Sequence, residues 1–278
     1  MYILTENLNF FYKLNKILTE KKINFKVLTL GSKIPNIASL ILTTSDDIGK
    51  LITKNNNVNY LIYSPNLFFD EYIFRVLAAF RIDYKESYSK LTFSIDPGKK
   101  IGLMVFLDNY YLDSYCCYGT DQLIEKILKI IRVFQKNNPD LIHIDFKFGR
   151  GVLSITYELV KRVYTIFKNR ENLKVYLIDE SNTSKIKNLN KSKGRKVTKD
   201  EISALILAMR EGMEVTSESY VKIFNQIKSK KLRLNALNRG DFEKCNSTLF
   251  KIEDIIEKVL SGEYSLVESS QLLKNNIN

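Results

Sequence analysis

The chain has 278 residues, of which 45% are hydrophobic and 27% are charged, and its formal net charge is +12. This composition excludes a disordered chain, and the length is sufficient for two domains with sizeable cores. The sequence shows no uncharged apolar run of about 18 residues and no signal-peptide pattern, so we expect a cytoplasmic protein without a membrane partner. The positive charge favours a polyanionic partner, nucleic acid first. The codon usage of an AT-rich genome would also produce a basic chain rich in Lys, Asn and Ile.

Residues 1–88 predict a small α/β domain of unknown role, because short β-rich runs alternate there with amphipathic stretches. The pattern contains no glycine-rich phosphate loop, and the polar segment Arg81–Lys90 is the expected boundary. The predicted elements are the strand Tyr2–Thr5, a helix with Leu8, Phe11, Leu14 and Ile17 on its apolar face, the strands Phe25–Leu30 and Ile37–Thr43, a helix near Asp46–Thr53, the strand Tyr60–Tyr63 and a helix over Asp70–Phe80.

Residues 89–216 predict a second α/β domain, and residues 217–278 a helical extension. Three strands joined by short turns predict an antiparallel meander, and strands and helices alternate after it. The predicted elements are the strands Leu91–Asp96, Ile101–Leu107 and Tyr110–Tyr118, the helix Asp121–Asn137, the strand Leu141–Phe146, the helix Ser154–Asn169, the strand Lys174–Ile178, the helix Lys199–Glu211 and, in the extension, the helix Ile252–Leu260.

Three aspartates stand at element ends where their side chains can reach one site. Asp96 ends an apolar strand before a Pro-Gly turn, which presents its carboxylate at a rigid strand edge, although turns also favour aspartate. Asp145 ends an otherwise apolar run, where a buried carboxylate is costly unless it is paired or binds a cation. Asp200 lies in the first turn of a helix that Thr198 and Glu201 can cap, and the helix dipole alone also favours an acid there.

Taken together, the three aspartates predict one metal site. Divalent Mg²⁺ or Mn²⁺ prefers carboxylate oxygens, and two such ions can activate a water and stabilise the leaving oxygen of a phosphodiester. The hypothesis is that Asp96 bridges two ions, Asp145 binds one of them, and Asp200 completes the other and orients the water.

These segments resemble motifs of the RuvC and YqgF families, the Holliday-junction-resolvase branch of the RNase H-like superfamily. IDPGKKIG looks like their opening motif, and PDLIHIDFKF resembles a RuvC strand in which Asp145 takes the place of a catalytic Glu. KDEISALILA resembles the last RuvC motif, with Asp200 on the first of its two aspartates and Ser203 on the second. LIDESNTS is similar to a YqgF motif and makes Asp179 a further candidate ligand.

The resemblance covers roughly residues 91–213 and implies an RNase H-like mixed sheet, in which three antiparallel strands precede parallel strands and helices. It also implies a metal-dependent endonuclease that hydrolyses phosphodiester bonds of structured or branched nucleic acid. We expect branched DNA first, which would place the protein in DNA recombination and repair. Two cuts across a junction would favour a symmetric homodimer.

Basic residues near the acids, or leading into them along the chain, are candidates for phosphate binding, although such blocks are also common on solvated loops. They are Lys99, Lys100, Lys147, Arg150, Lys185, Lys187, Lys191, Lys193, Arg195, Lys196 and Lys199.

Two alternatives to a nuclease remain open from the sequence. Ser203, at a position where the family has an acid, fits a catalytically inactive nucleic-acid-binding protein that keeps the fold. The Asp-x-Gly hairpin at Asp96 also occurs in actin-like ATPases and sugar kinases, but that class needs a second such hairpin, and the predicted strands and turns contain none.

Overall fold

The computed structural model describes residues 1–51, 57–82, 84–85, 87–136, 143–168, 170–180, 197–234 and 246–277. Within these residues, no helix is both long and apolar enough to cross a membrane.

The N-terminal part forms a parallel sheet with the strand order β2-β1-β3-β4. Its elements are β1 (Tyr2–Leu4), α1 (Leu8–Glu20), β2 (Lys26–Leu28), β3 (Ser39–Thr44), α2 (Ser45–Ile48), β4 (Val58–Tyr63) and α3 (Phe69–Arg81). Helix α1 begins where the Asn7 side chain accepts a hydrogen bond from the Phe10 N–H. Its buried face is Phe10, Leu14 and Leu18, whereas Leu8, which we expected on the apolar face, is 80% exposed. The apolar face is therefore rotated from the predicted one.

The second part forms a mixed sheet with the strand order β10-β9-β8-β5-β6-β7. Its elements are β5 (Lys90–Asp96), β6 (Ile101–Leu107), β7 (Tyr110–Cys117), α4 (Thr120–Gln135), β8 (His143–Gly149), α5 (Leu153–Ile166), β9 (Leu173–Ile178), α6 (Lys199–Met209) and β10 (Met213–Val215). Strands β5–β7 are antiparallel, and β8 and β9 run parallel to β5, which is the arrangement that the sequence predicts. The short strand β10, antiparallel to β9, is not evident from the sequence.

The two faces of this sheet carry different helices. Phe93 and Ile95 of β5 share a hydrophobic cluster with α4 and α5. On the opposite face, the Ser94 hydroxyl donates a 2.7 Å hydrogen bond to the Ala204 carbonyl of α6. Met104 of β6 packs with α6 and the C-terminal helices in a second cluster. The extension contains α7 (Tyr220–Leu234), α8 (Asn246–Ser261) and α9 (Leu266–Ile277). Helix α6 is therefore covered on both sides, by the sheet and by α8 and α9.

The two sheets share one hydrophobic core. Leu18 of α1 and Tyr72 of α3 belong to the same buried cluster as Leu107 of the second sheet. A salt bridge joins Lys21, at the end of α1, to the buried carboxylate of Asp113 in β7. The connection between α3 and β5 falls within the expected boundary Arg81–Lys90, but the core is continuous across it.

Candidate metal and nucleic-acid site

The site begins where α6 crosses the end of β5. Asp96, the last residue of β5, pairs with Gly102 of β6. A Cβ atom on Gly102 would lie only 2.0 Å from the Asp200 carbonyl oxygen, so the start of α6 rests directly on this glycine. The predicted capping box is present: the Thr198 hydroxyl accepts from the Glu201 N–H, and the Glu201 carboxylate accepts from the Thr198 N–H at 2.8 Å. This cap fixes the first turn of α6, and with it Asp200, beside Asp96.

Three carboxylates lie near enough to interact by charge at this edge: Asp96, Glu180 and Asp200, which we call the acid cluster. Burial raises the pKa of Asp96 to about 7, and the negative charges of Glu180 and Asp200 add to the rise. A hydrogen bond from the Ser203 hydroxyl and the charge of Lys199 act in the opposite direction. Burial and repulsion outweigh these two effects, so the positive charge near the ionised acid cluster does not balance its negative charge.

Glu180 is the member of the acid cluster that the sequence interpretation missed. It lies two residues beyond β9, and two glycines make room for its carboxylate. A Cβ atom on Gly149 would lie 2.2 Å from Glu180 Oε1, and one on Gly151 would lie 1.9 Å from Oε2. The Gly151 N–H donates a 2.6 Å hydrogen bond to the same carboxylate. The available signal was a Gly-x-Gly segment after one strand and two adjacent acids after the next.

The structure does not bring Asp145 into the acid cluster, which corrects our expectation. Strand β8 extends to Gly149, and its register pairs Thr92 with Asp145 and Ile95 with Phe148. Asp145 therefore lies four strand positions, about 13 Å, from the level of Asp96. It is 6% exposed, and its Oδ2 lies 2.6 Å from Lys90 Nζ. This ion pair, not a metal ion, accounts for the buried charge.

Asp179, the fourth candidate ligand, is engaged by two arginines. Its side chain is exposed and forms a salt bridge with Arg150, and its carbonyl accepts a 2.7 Å hydrogen bond from Arg210. Arg150 lies between Gly149 and Gly151, the two glycines next to Glu180, so the salt bridge between Arg150 and Asp179 lies beside Glu180. Arg150, a predicted phosphate-binding residue, is thus paired with Asp179 and adjoins the two glycines that contact Glu180.

Lys147 is not available to nucleic acid, which corrects a second expectation. Its ammonium group donates hydrogen bonds to the carbonyls of Ala208 and Arg210, at the C-terminal end of α6. Burial lowers its pKa to about 8. Cations are favourable at helix C-termini, so Lys147 fixes α6 at the end opposite to Asp200.

The remaining basic candidates divide into two groups. Lys99 and Lys100 are exposed in the turn between β5 and β6, and Lys199 is exposed at the start of α6, close enough to lower the pKa of Asp96. The candidates Lys185, Lys187, Lys191, Lys193, Arg195 and Lys196 lie outside the described residues.

The acid cluster suits a divalent cation in donor type and charge. Carboxylate oxygens are the ligands that Mg²⁺ and Mn²⁺ prefer, and a cation would offset the repulsion that raises the pKa of Asp96. Across the described ranges, however, no three His, Cys, Asp or Glu side chains are already spaced as ligands of one ion. The acid cluster therefore suits a divalent cation by the type and charge of its donor atoms, not by a preformed coordination geometry.

We expect the metal-free protein to lose stability as pH rises from about 4 to about 7. The pKa of Asp96 lies above its unfolded value of 3.8, so the folded state binds more protons in this window, and stability falls as Asp96 ionises. Urea unfolding in EDTA across this range measures the effect against Asp96→Asn, which should show a flatter profile. Identical profiles for the two proteins would contradict the buried, repelled carboxylate.

We expect Gly102→Ala to displace the start of α6. The added methyl group would collide with the Asp200 backbone, which overpacks a tight contact and destabilises by about 1–3 kcal/mol. Gly31→Ala is the matched control, because a Cβ atom there meets nothing within 4 Å. Thermal melts of both variants check the prediction, and a Gly102→Ala protein as stable as the control would contradict the close contact.

No family model matches the chain, and no curated protein matches it. Among the solved structures that match, two are similar over 64% of the chain. One is Marinitoga piezophila Argonaute in complex with 5′ OH guide RNA and target DNA, at 11% identity and a TM-score of 0.27; the chain spans 38% of that protein. The other is the large terminase from the thermophilic bacteriophage D6E, at 9% identity, a TM-score of 0.22 and 68% coverage of the terminase chain. TM-scores this low establish neither a shared fold nor a shared function.

Proposed function

We propose that this chain is a metal-dependent endonuclease with an RNase H-like catalytic domain over residues 89–216. The observation that carries the proposal is the acid cluster. Asp96, Glu180 and Asp200 come from the ends of two strands and the start of one helix, and they lie near one another although burial, together with repulsion by the other two carboxylates, raises the pKa of Asp96. A fold keeps such an unfavourable arrangement at a functional site, where a bound cation offsets it.

One or two Mg²⁺ or Mn²⁺ ions at this edge would supply Lewis-acid activation of water and stabilisation of the leaving oxygen. Asp96, which accepts a hydrogen bond from the Ser203 hydroxyl and feels the charges of both other carboxylates, would be one residue that holds the ion. Asp200 is oriented by the capped first turn of α6, and Glu180 by the Gly151 N–H. Asp145, which the sequence suggested as a ligand, is replaced in this mechanism by Glu180.

Exposed lysines support a nucleic acid as the substrate. Lys99, Lys100 and Lys199 lie around the acid cluster and give phosphate groups a positive approach to an otherwise negative site. We propose structured or branched nucleic acid as the substrate class, with branched DNA first. A four-way junction cut on two strands would require two copies of the chain, and hence a symmetric homodimer.

A nucleic-acid-binding protein without cleavage is the second candidate. Ser203 favours it, because a hydroxyl at this position donates a hydrogen bond to Asp96 instead of adding a carboxylate ligand. Such a protein would use the same lysines and would bind without hydrolysis.

Cleavage of labelled four-way junction, duplex, single-stranded DNA and RNA–DNA hybrid separates the two candidates. We expect cuts with Mg²⁺ or Mn²⁺ that disappear in EDTA and in Asp96→Asn, with binding retained by the variant. Unchanged cleavage in Asp96→Asn would remove the proposed mechanism. Substrate that is retarded but intact in every metal would identify the binding protein.

A further inference from the structure

An exposed tyrosine lies at the same sheet edge as the acid cluster. Tyr118 directly follows β7, and it is 68% exposed. Cys116, two residues earlier, pairs with Gly102 of β6, which in turn pairs with Asp96 of β5. At about 4.8 Å between neighbouring strands, Cys116 lies about 10 Å from Asp96, and the chain continues from it to Tyr118.

The backbone that presents Tyr118 is fixed. Its N–H donates a 2.6 Å hydrogen bond to Gln122 Oε1, and Gly119, with φ of 107°, turns the chain from β7 into α4. The side chains of Cys116 and Thr198 are hydrogen-bonded, which ties the end of β7 to the start of α6. The backbone at Tyr118 is therefore tied to α4, and the end of β7 is tied to the start of α6.

A lysine lies against the ring. Lys100 Nζ lies 5.4 Å from the centre of the Tyr118 ring. Lys99 is exposed in the same turn as Lys100. An exposed aromatic ring with ammonium groups beside it is the arrangement that binds unpaired bases: the ring stacks on the base, and the lysines contact the phosphates.

We propose that Tyr118 and Lys100 form a stacking platform for an unpaired nucleotide next to the phosphodiester that the acid cluster cleaves. The inference rests on the proposed function, because it assigns the platform and the cluster to the same bound strand. It narrows the substrate class to nucleic acid that is single-stranded or splayed at the cut. The bases of a continuous duplex are stacked on one another and cannot reach the ring.

The test measures binding by the full-length chain carrying Asp96→Asn, so that cleavage does not interfere. The probes are a single-stranded oligodeoxynucleotide and a forked duplex with 2-aminopurine at the unpaired position, and a blunt duplex. We expect Tyr118→Ala to weaken binding of the single strand and the fork about 5- to 100-fold and to relieve quenching of 2-aminopurine, with blunt-duplex binding unchanged. Tyr118→Phe, which keeps the ring, should retain both binding and quenching.

The matched control is Tyr12→Ala, because Tyr12 is 70% exposed on α1, far from the acid cluster in the chain. Equal binding by Tyr118→Ala and the control, equal losses for fork and blunt duplex, or no single-strand binding at all would overturn the platform. Cleavage that does not depend on Tyr118 would leave the nuclease intact without the platform. Tyr118-dependent stacking without cleavage in any metal would retain the platform and reject the nuclease.

Discussion

Glu180→Gln should reduce metal-dependent cleavage about 100-fold or more, whereas Asp145→Asn should leave it nearly unchanged. Removal of one charge-bearing group from an active site commonly has an effect of this size. Glu180 lies in the acid cluster, and Asp145 lies about four strand positions away with Lys90. The measurement is the initial rate of cleavage of the best substrate in Mn²⁺, with both variants at the same protein concentration.

The free energy of unfolding should distinguish the same two variants in the opposite order: the variant that keeps cleavage should be the less stable one. Asp145→Asn should destabilise the fold by about 1–3 kcal/mol, because it leaves the ammonium group of Lys90 without its carboxylate. Glu180→Gln keeps an acceptor for the Gly151 N–H and should be nearly neutral. Loss of cleavage in Asp145→Asn with full activity in Glu180→Gln would contradict the site as described.

Asp96→Asn should make the metal-free protein more stable above pH 7 and abolish its response to Mn²⁺. The ionised carboxylate is unfavourable in the fold, since its pKa rises from 3.8 to about 7 and each pKa unit corresponds to about 1.4 kcal/mol. In the wild type, saturating Mn²⁺ should raise the melting temperature by roughly 5–10 °C. Thermal melts of both proteins at pH 8, in EDTA and in Mn²⁺, measure the two effects.

Lys147→Met is a control with an expected loss of stability and a retained metal response. It removes the hydrogen bonds to the carbonyls of Ala208 and Arg210 at the far end of α6, without touching a carboxylate of the acid cluster. A wild type that does not respond to Mn²⁺, or an Asp96→Asn protein that still does, would exclude Asp96 as a metal ligand.

The pattern of apolar runs and turns is sufficient to predict five of the six strands of the second sheet, all but β10, and the helix α6. Asp96 and the capped start of α6 follow from local rules, since a strand end, a Pro-Gly turn and a capping box are all visible within nine residues or fewer of sequence. These local signals place Asp96 and Asp200 at element ends, and the structure brings them together.

The register of β8 does not follow from local rules. In the sequence, the polar residue Lys147 follows an apolar run and predicts that the strand ends before it. That prediction places Asp145 at the end of the strand and near Asp96. In the fold, the carbonyls of Ala208 and Arg210 accept hydrogen bonds from Lys147, so the strand continues to Gly149. Partners more than 60 residues away thus decide where β8 ends.

Glu180 was missed for a related reason. Its place in the acid cluster depends on the absence of side chains at Gly149 and Gly151, which belong to a different loop. A single sequence shows the two glycines and the two acids. It does not show that the Glu180 side chain occupies the space that Gly149 and Gly151 leave open. Asp179 and Glu180 are equivalent to any local rule. In the fold, Asp179 forms a salt bridge with Arg150, whereas Glu180 accepts a hydrogen bond from the Gly151 N–H.

The hydrophobic core that the two sheets share governs how the molecule comes apart. With Leu18 and Tyr72 packed in one cluster with Leu107, unfolding of the first sheet uncovers apolar surface of the second. The two parts should therefore melt in one cooperative transition, and limited proteolysis should not release a folded fragment that begins near residue 89. We expect a fragment without the first 88 residues to aggregate, because these residues cover apolar surface of the second sheet.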